Sequence, residues 1–239
     1  MLKTELLYQT NMYLTNFESE ITKIEDKNIY LAKTAFYPTG GGQPHDIGTI
    51  QVNSKIFHVV DVAKDGQDVK HVLQESTEEL NVGQKVIGKV DWETRYKYQR
   101  THTAMHILCG IIYQEFDSTV TGGQIKPLEG RMDFDIEKFT PDKIKFIEEK
   151  CNEAINKDYP IKVDFLPRAQ ADQDLDLIRT KVSLIPKEVD VVRTIDIVGL
   201  DKQADGGTHV KSTKEVGKMT IVKVDNRGKG RKRLYFSLT

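Results

Sequence analysis

The feature that most constrains this chain is a change of character near Asp91. Before it, short β-rich runs alternate with turn residues. After it, WETRYKYQRTHTAMHILCGIIYQEF reads as one long helix. Apolar or aromatic residues recur at Tyr98, Met105, Ile107, Leu108, Ile111, Ile112 and Phe116, the pattern of a helix buried over much of its later length. Asp91 is its expected N-cap. A boundary near residue 90 follows, with 1–90 as one domain and 91–239 as a second.

The first part holds NIYLAKTAFYP, which stops at Pro38, and GTIQVNSKIFHVVDVAK, split by the hairpin signal Val52-Asn53-Ser54. VKHVLQES and QKVIGKVDW add further strands. Gly48, Gly66 and Gly83 stand at expected turns. Several short strands at this spacing predict a small β-barrel or sandwich. The second part predicts an α+β domain with helices on a mainly antiparallel sheet. Its expected loop carries Gly122, Gly123 and Pro127. RMDFDI reads as a strand, and PDKIKFIEEKCNEAINKD as an amphipathic helix opened by Thr140 and Pro141. YPIKVDFLPR, VDVVRTIDIV and KMTIVKVDN read as strands, and RLYFSLT closes a hairpin over Gly228-Lys229-Gly230. There is no internal repeat or low-complexity segment.

Two motifs suggest a metal. In His102-Thr-Ala-Met-His106 the two imidazoles lie one helical turn apart on a shared face, within reach of one ion at about 2.0–2.1 Å. Alone, that spacing is more often incidental. Asp205-Gly206-Gly207-Thr208-His209 sets a carboxylate and an imidazole on either side of a glycine turn, which lets the backbone bend tightly. An ordinary surface turn has the same composition. Together the motifs are stronger, because they hold three of the chain's six histidines. His58 and His71 read as ordinary strand residues, while His45 sits beside a glycine-rich loop.

These residues resemble the editing domain of alanyl-tRNA synthetase and its free-standing AlaX relatives. RTHTAMHIL (100–108) and QADGGTHV (203–210) match the family's HxxxH and downstream CGGTH. FYPTGGGQPHDIGTI (36–50), GGQIKPLEGRMDFD (122–135) and KVDNRGKGRKRLYFSL (223–238) resemble its N-terminal signature, its glutamine segment and its closing hairpin. The matches span nearly the whole chain. The length resembles the medium form, which lacks the C-terminal region of the longer form. The resemblance implies hydrolysis of tRNA(Ala) mischarged with serine, and secondarily glycine, at a site of His102, His106, Asp205 and His209. One departure stands out: Asp205 replaces the family cysteine. Carboxylate oxygen binds zinc, but the set is harder and less zinc-selective, so manganese or iron also fit. Zn2+ is the expected cofactor.

Ester hydrolysis needs an oriented water and stabilisation of charge growing on the carbonyl oxygen. Gln43, Thr103 and Gln124 are candidate catalytic groups. Thr39, Gly40, Gly41 and Gly42 could hold an oxyanion or phosphate through backbone N–H groups. The basic run Arg227, Lys229, Arg231, Lys232 and Arg233 fits phosphate contacts to tRNA, with Arg95, Lys97 and Arg100 as a possible extension; a solvated hairpin would look the same. No Ser-His-Asp or Cys-His arrangement is visible, and Cys109 reads as a core residue. Water is therefore the expected nucleophile. A noncatalytic tRNA-binding module with a structural metal, a metal-dependent hydrolase of another small ester, and a protein with a degenerate site remain alternatives.

Composition is permissive. Hydrophobic residues make up 38% and charged residues 30%, with net charge -1 at pH 7, which argues against wholesale coating of nucleic acid but allows a local basic patch. Two separated cysteines suit a reducing compartment. No signal peptide or membrane span is visible, so a cytoplasmic protein is expected, with a monomer slightly favoured.

Overall fold

The computed structural model describes residues 3–174, 177–179, 189–226 and 231–239. The chain divides into two compact units, Met1–Tyr96 and Lys97–Thr239.

In the first unit the strands are β1 (Glu5–Leu6), β2 (Asn16–Glu25), β3 (Asn28–Leu31), β4 (Lys33–Thr34), β5 (Gly48–Val52), β6 (Lys55–Asp65), β7 (Asp68–Leu73) and β8 (Lys85–Val90). Six of them close a barrel in the order β2-β3-β7-β6-β5-β8, which decides for a barrel over a sandwich. Inward positions alternate with outward ones: β2 buries Phe17, Ser19 and Ile21, and the barrel core adds Ile29, Leu31, Phe36, Ile50, Phe57, Val62 and Leu73. The β5–β6 hairpin turns at Asn53, with φ 54°. Gly66 and Gly83 have positive φ, as turns there require. Gly48 departs from expectation. It opens β5 instead of forming a turn, and a Cβ there would lie 2.2 Å from the Lys89 carbonyl oxygen. Close approach of two strands, not chain reversal, calls for this glycine.

Helix α1 (Trp92–Phe116) begins in the first unit and continues into the second. Asp91 caps it, accepting from the Thr94 backbone N–H at 3.3 Å and the Thr94 hydroxyl at 3.1 Å. From Thr101 to Ile112 every residue is buried, as expected of a helix with apolar contacts all round.

The second unit adds β9 (Val120–Lys126), β10 (Glu129–Asp135), α2 (Pro141–Asn156), β11 (Ile161–Pro167), α3 (Arg168–Ala171), β12 (Val191–Ile197), β13 (Asp201–Ala204), β14 (Met219–Asn226) and β15 (Arg231–Leu238). Thr140 caps α2 by accepting from the Lys143 N–H. The molecule is mainly β with few helices. The expected single sheet is in fact two antiparallel sheets, β14-β15-β10-β9 and β11-β12-β13. The expected glycine loop is also different: Gly122 and Gly123 lie inside β9. A Cβ on Gly123 would meet the Met105 methyl at 2.7 Å, so glycine lets this edge strand run against α1. The β14–β15 hairpin forms, while its turn residues Gly228, Lys229 and Gly230 lie outside the described residues. Among the described residues no helix is long and apolar enough to cross a membrane.

Candidate metal centre

Two tiers of local structure bring four ligand-type side chains together in the second unit. Helical spacing puts His102 and His106 on one face of α1. Antiparallel pairing of β12 with β13 delivers the chain into the turn that carries Asp205 and His209. The ligand atoms of His102, His106, Asp205 and His209 all lie within 4.8 Å of one another.

The imidazole of His102 stacks on that of His209, with centroids 4.3 Å apart, and His106 meets His209 edge-on at 4.6 Å. From the carboxylate oxygens of Asp205, His102 Nε2 lies 3.6 Å away, His106 Nε2 3.8 Å and His209 Nε2 3.9 Å. These separations exceed ordinary hydrogen-bond lengths. They approach the roughly 3.4 Å that separates two ligands of a tetrahedral ion with bonds of about 2.1 Å. His209 is fully buried and the Asp205 side chain is 16% exposed, so solvent approaches from the Asp205 side.

Protonation suits metal binding too. Burial lowers the His102 pKa to about 4, and the neighbouring His106 and Arg193 add to that against the opposing pull of Asp205. Burial, followed by His102 and His106, holds His209 well below its ordinary value. Burial alone would raise the Asp205 carboxyl, but His102, His106 and His209 around it outweigh burial and hold it well below the usual carboxylate range. Neutral imidazoles beside an ionised carboxylate are the states a divalent metal requires. Geometry and donor chemistry therefore both fit such an ion.

The turn is held from several sides. The Gly207 N–H donates to Asp205 Oδ1 at 2.6 Å. Arg193, buried in β12, donates from one nitrogen to the carbonyls of Asp205 and Gly207 at 2.8 and 2.9 Å. The Thr103 hydroxyl accepts from the Val210 N–H at 3.2 Å, tying α1 to the chain just past His209. Arg193 was missed by motif reading. Its one sequence signal is a cation inside the largely apolar strand VVRTIDI.

The other candidates make contacts of their own. Gln124 lies on the face of β9 opposite Gly123, exposed, and its Oε1 accepts from Arg131 Nε at 2.9 Å. Thr39 to Gln43 belong to the first unit. Gly40 and Gln43 exchange backbone hydrogen bonds of 3.1 and 2.9 Å across Gly41 and Gly42 (φ 57° and 82°). That is a tight turn with both central residues at positive φ, so the Gly40 and Gln43 amides are already used. Gln43 is fully buried. The Thr39 hydroxyl meets His45 Nδ1 at 3.2 Å, and His45 also pairs with Asp61.

The basic surface needs correction. Arg95 is fully buried against Asp46 and cannot offer a phosphate contact. Arg100 donates to the Val216 carbonyl, at 2.9 Å from its terminal nitrogen. Arg233 is held bidentately by Asp133 at 2.5 and 2.7 Å. Arg231 is exposed and Lys232 half-buried, while Arg227 and Lys229 lie outside the described residues. Cys109 is buried, and burial followed by the nearby Asp201 pushes its thiol up to about 12. It is no nucleophile near neutral pH.

Two stretches of the chain match families of tRNA synthetases. Residues 4–94 match the family described as tRNA synthetases class II (A), and residues 192–235 the threonyl and alanyl tRNA synthetase second additional domain. The chain is 40% identical over 238 residues to alanyl-tRNA editing protein AlaX-M of Saccharolobus solfataricus, covering 98% of this chain and 99% of that one. The protein of the same name from Methanosarcina acetivorans is 35% identical over 242 residues, with the same shares covered. Alanine–tRNA ligase of Methanococcus vannielii is 34% identical over 238 residues, 98% of this chain but 26% of the ligase. The chain belongs to the AlaX-M family of alanyl-tRNA editing proteins.

Proposed function

We propose that this protein is a metal-dependent, free-standing editing hydrolase of the cytoplasm. Its substrate is tRNA(Ala) carrying serine, with glycine as the secondary mischarged amino acid. The observation that carries the reading is the convergence of His102, His106, Asp205 and His209 on one buried point. Zn2+ is the proposed ion, with Asp205 taking the place of the family cysteine. A divalent ion held there supplies Lewis-acid chemistry and lowers the pKa of bound water.

The chain's own groups set the rest. Burial disfavours the charged form of His102 and of His209, and the Asp205 carboxyl lies well below the usual carboxylate range. Thr103 braces the two ligand-bearing segments against each other through Val210, a positioning role. With the Cys109 thiol pushed up to about 12, water is left as the nucleophile. Arg231 and Lys232, together with Arg227 and Lys229, are the proposed contacts to tRNA phosphates, whose binding should weaken with salt. Arg233, already bound to Asp133, contributes least.

The test is release of labelled serine, glycine and alanine from tRNA(Ala), with and without a strong chelator. The reading expects serine to be released fastest, alanine to be spared, and the chelator to stop the reaction. Binding of tRNA with the ester left intact would favour a noncatalytic module instead.

A further inference from the structure

Arg193 stands in the middle of β12 as a cation only 7% exposed, and such burial needs an account. Its placement explains it. The Asp205 N–H donates to the Arg193 carbonyl at 3.1 Å, so residue 205 is fixed to β12 by its own main chain. The Arg193 side chain then reaches round the turn. One guanidinium nitrogen donates to the carbonyls of both Asp205 and Gly207, the residues on either side of Gly206. A Cβ on Gly206 would meet nothing within 4 Å, so crowding at that residue does not fix the turn.

Fixing those two carbonyls also fixes the carboxylate. The Gly207 N–H holds Asp205 Oδ1, and Oδ2 is the atom nearest His102 and His106. The same turn leads into His209. A planar guanidinium presents donors in a rigid fork, which a flexible ammonium does not.

We propose that Arg193 is a positioning residue for the metal centre: it clamps the Asp205-Gly206-Gly207 turn so that Asp205 and His209 are preorganised toward His102 and His106. The inference rests on the metal-site reading above. Groups that orient metal ligands typically change affinity by about 10–100-fold when removed.

The test is titration of metal-free protein with Co2+ and with Zn2+, following the visible Co2+ absorption and the apparent affinity. It uses wild type, Arg193→Met and Arg193→Lys, with circular dichroism as the check on folding. Arg193→Met is expected to stay folded and lose about 10–100-fold in affinity with an altered Co2+ spectrum, and Arg193→Lys to fall between it and wild type. A folded Arg193→Met with wild-type affinity and spectrum overturns the inference. If Arg193→Met does not fold, Arg193→Lys decides: weakened binding supports the clamp, and wild-type binding overturns it. Unfolding of both variants would show that Arg193 supports the sheet rather than the turn, and also overturns it. Failure of the wild type to bind either metal would instead sink the metal-site reading, and this inference with it.

Discussion

A buried ion pair in the first unit and the buried histidine–aspartate cluster in the second hold charge in opposite ways. In the first, Arg95 and Asp46 are fully enclosed and closed upon each other. Arg95 Nε lies 3.1 Å from both carboxylate oxygens, a terminal nitrogen also bonds Asp46, and the carbonyls of Ala35 and Leu14 accept from the same guanidinium. Asp46 accepts in addition from the Tyr37 N–H. In the second unit the imidazole nitrogens stand 3.6–3.9 Å from Asp205 and leave a gap of ligand dimensions between them. A buried pair that satisfies itself holds a fold together. A buried set whose members stand at these separations fits the metal site proposed above.

The contrast can be broken at its strongest point first. Asp46→Ala would leave the Arg95 charge buried without its carboxylate. It should cost about 3–5 kcal/mol in denaturant unfolding while leaving the metal affinity of the folded protein unchanged. A loss under about 1 kcal/mol would show that the pair is not the structural anchor described.

Acid should act next. His71 is buried in the barrel, with Nε2 2.8 Å from the Thr34 hydroxyl, and burial lowers its pKa to about 4. The unfolded chain takes up that proton near pH 6.5 and the folded chain does not. Stability is therefore fully present above about 6.5 and falls as pH drops toward 4, by on the order of 3 kcal/mol for this group. His102 has a pKa lowered to the same value, so it adds a loss of the same sign in the metal-free protein, and bound metal should suppress that part alone. Unfolding curves between pH 7 and 4, with and without zinc, for wild type and His71→Gln separate the two contributions. Equal slopes in all four would contradict the assignment.

The third effect is metal linkage. Zinc at a hundredfold above its Kd should stabilise the wild type by about 2.7 kcal/mol, and His209→Ala should lose that gain. The same variant, like His102→Ala, should lose at least about a hundredfold in deacylation rate, roughly 2.7 kcal/mol. The smallest expected change is Asp205→Cys, which should stay within about tenfold of wild type if residue 205 serves as a ligand. A folded, metal-loaded and inactive Asp205→Cys would assign the carboxylate a chemical role instead.

Both pairs of candidate ligands were legible in the sequence because each is local: one follows the helical repeat, the other flanks a glycine turn. The helices were legible through their caps, Asp91 and Thr140, and the barrel through its alternating strands. What joined the ligand pairs was not legible. β13 (Asp-Lys-Gln-Ala) has no apolar alternation, yet its pairing with β12 delivers Asp205 to the cluster. Gly122 and Gly123 carry the composition of a loop, but β9 uses them for close approach to α1. Arg95 stood among Lys97 and Arg100 as a surface charge. Its partner lies 49 residues away, and nothing local to the helix marks it as buried.

The central claim is that the second unit's buried cluster is an ion site that drives hydrolysis of a mischarged ester. The most direct measurement is serine release from seryl-tRNA(Ala) by metal-stripped protein, before and after stoichiometric Zn2+ is returned. The account predicts no release by the stripped protein and full recovery on adding zinc, with alanyl-tRNA(Ala) left intact throughout. Undiminished release by protein verified to be metal-free would contradict it.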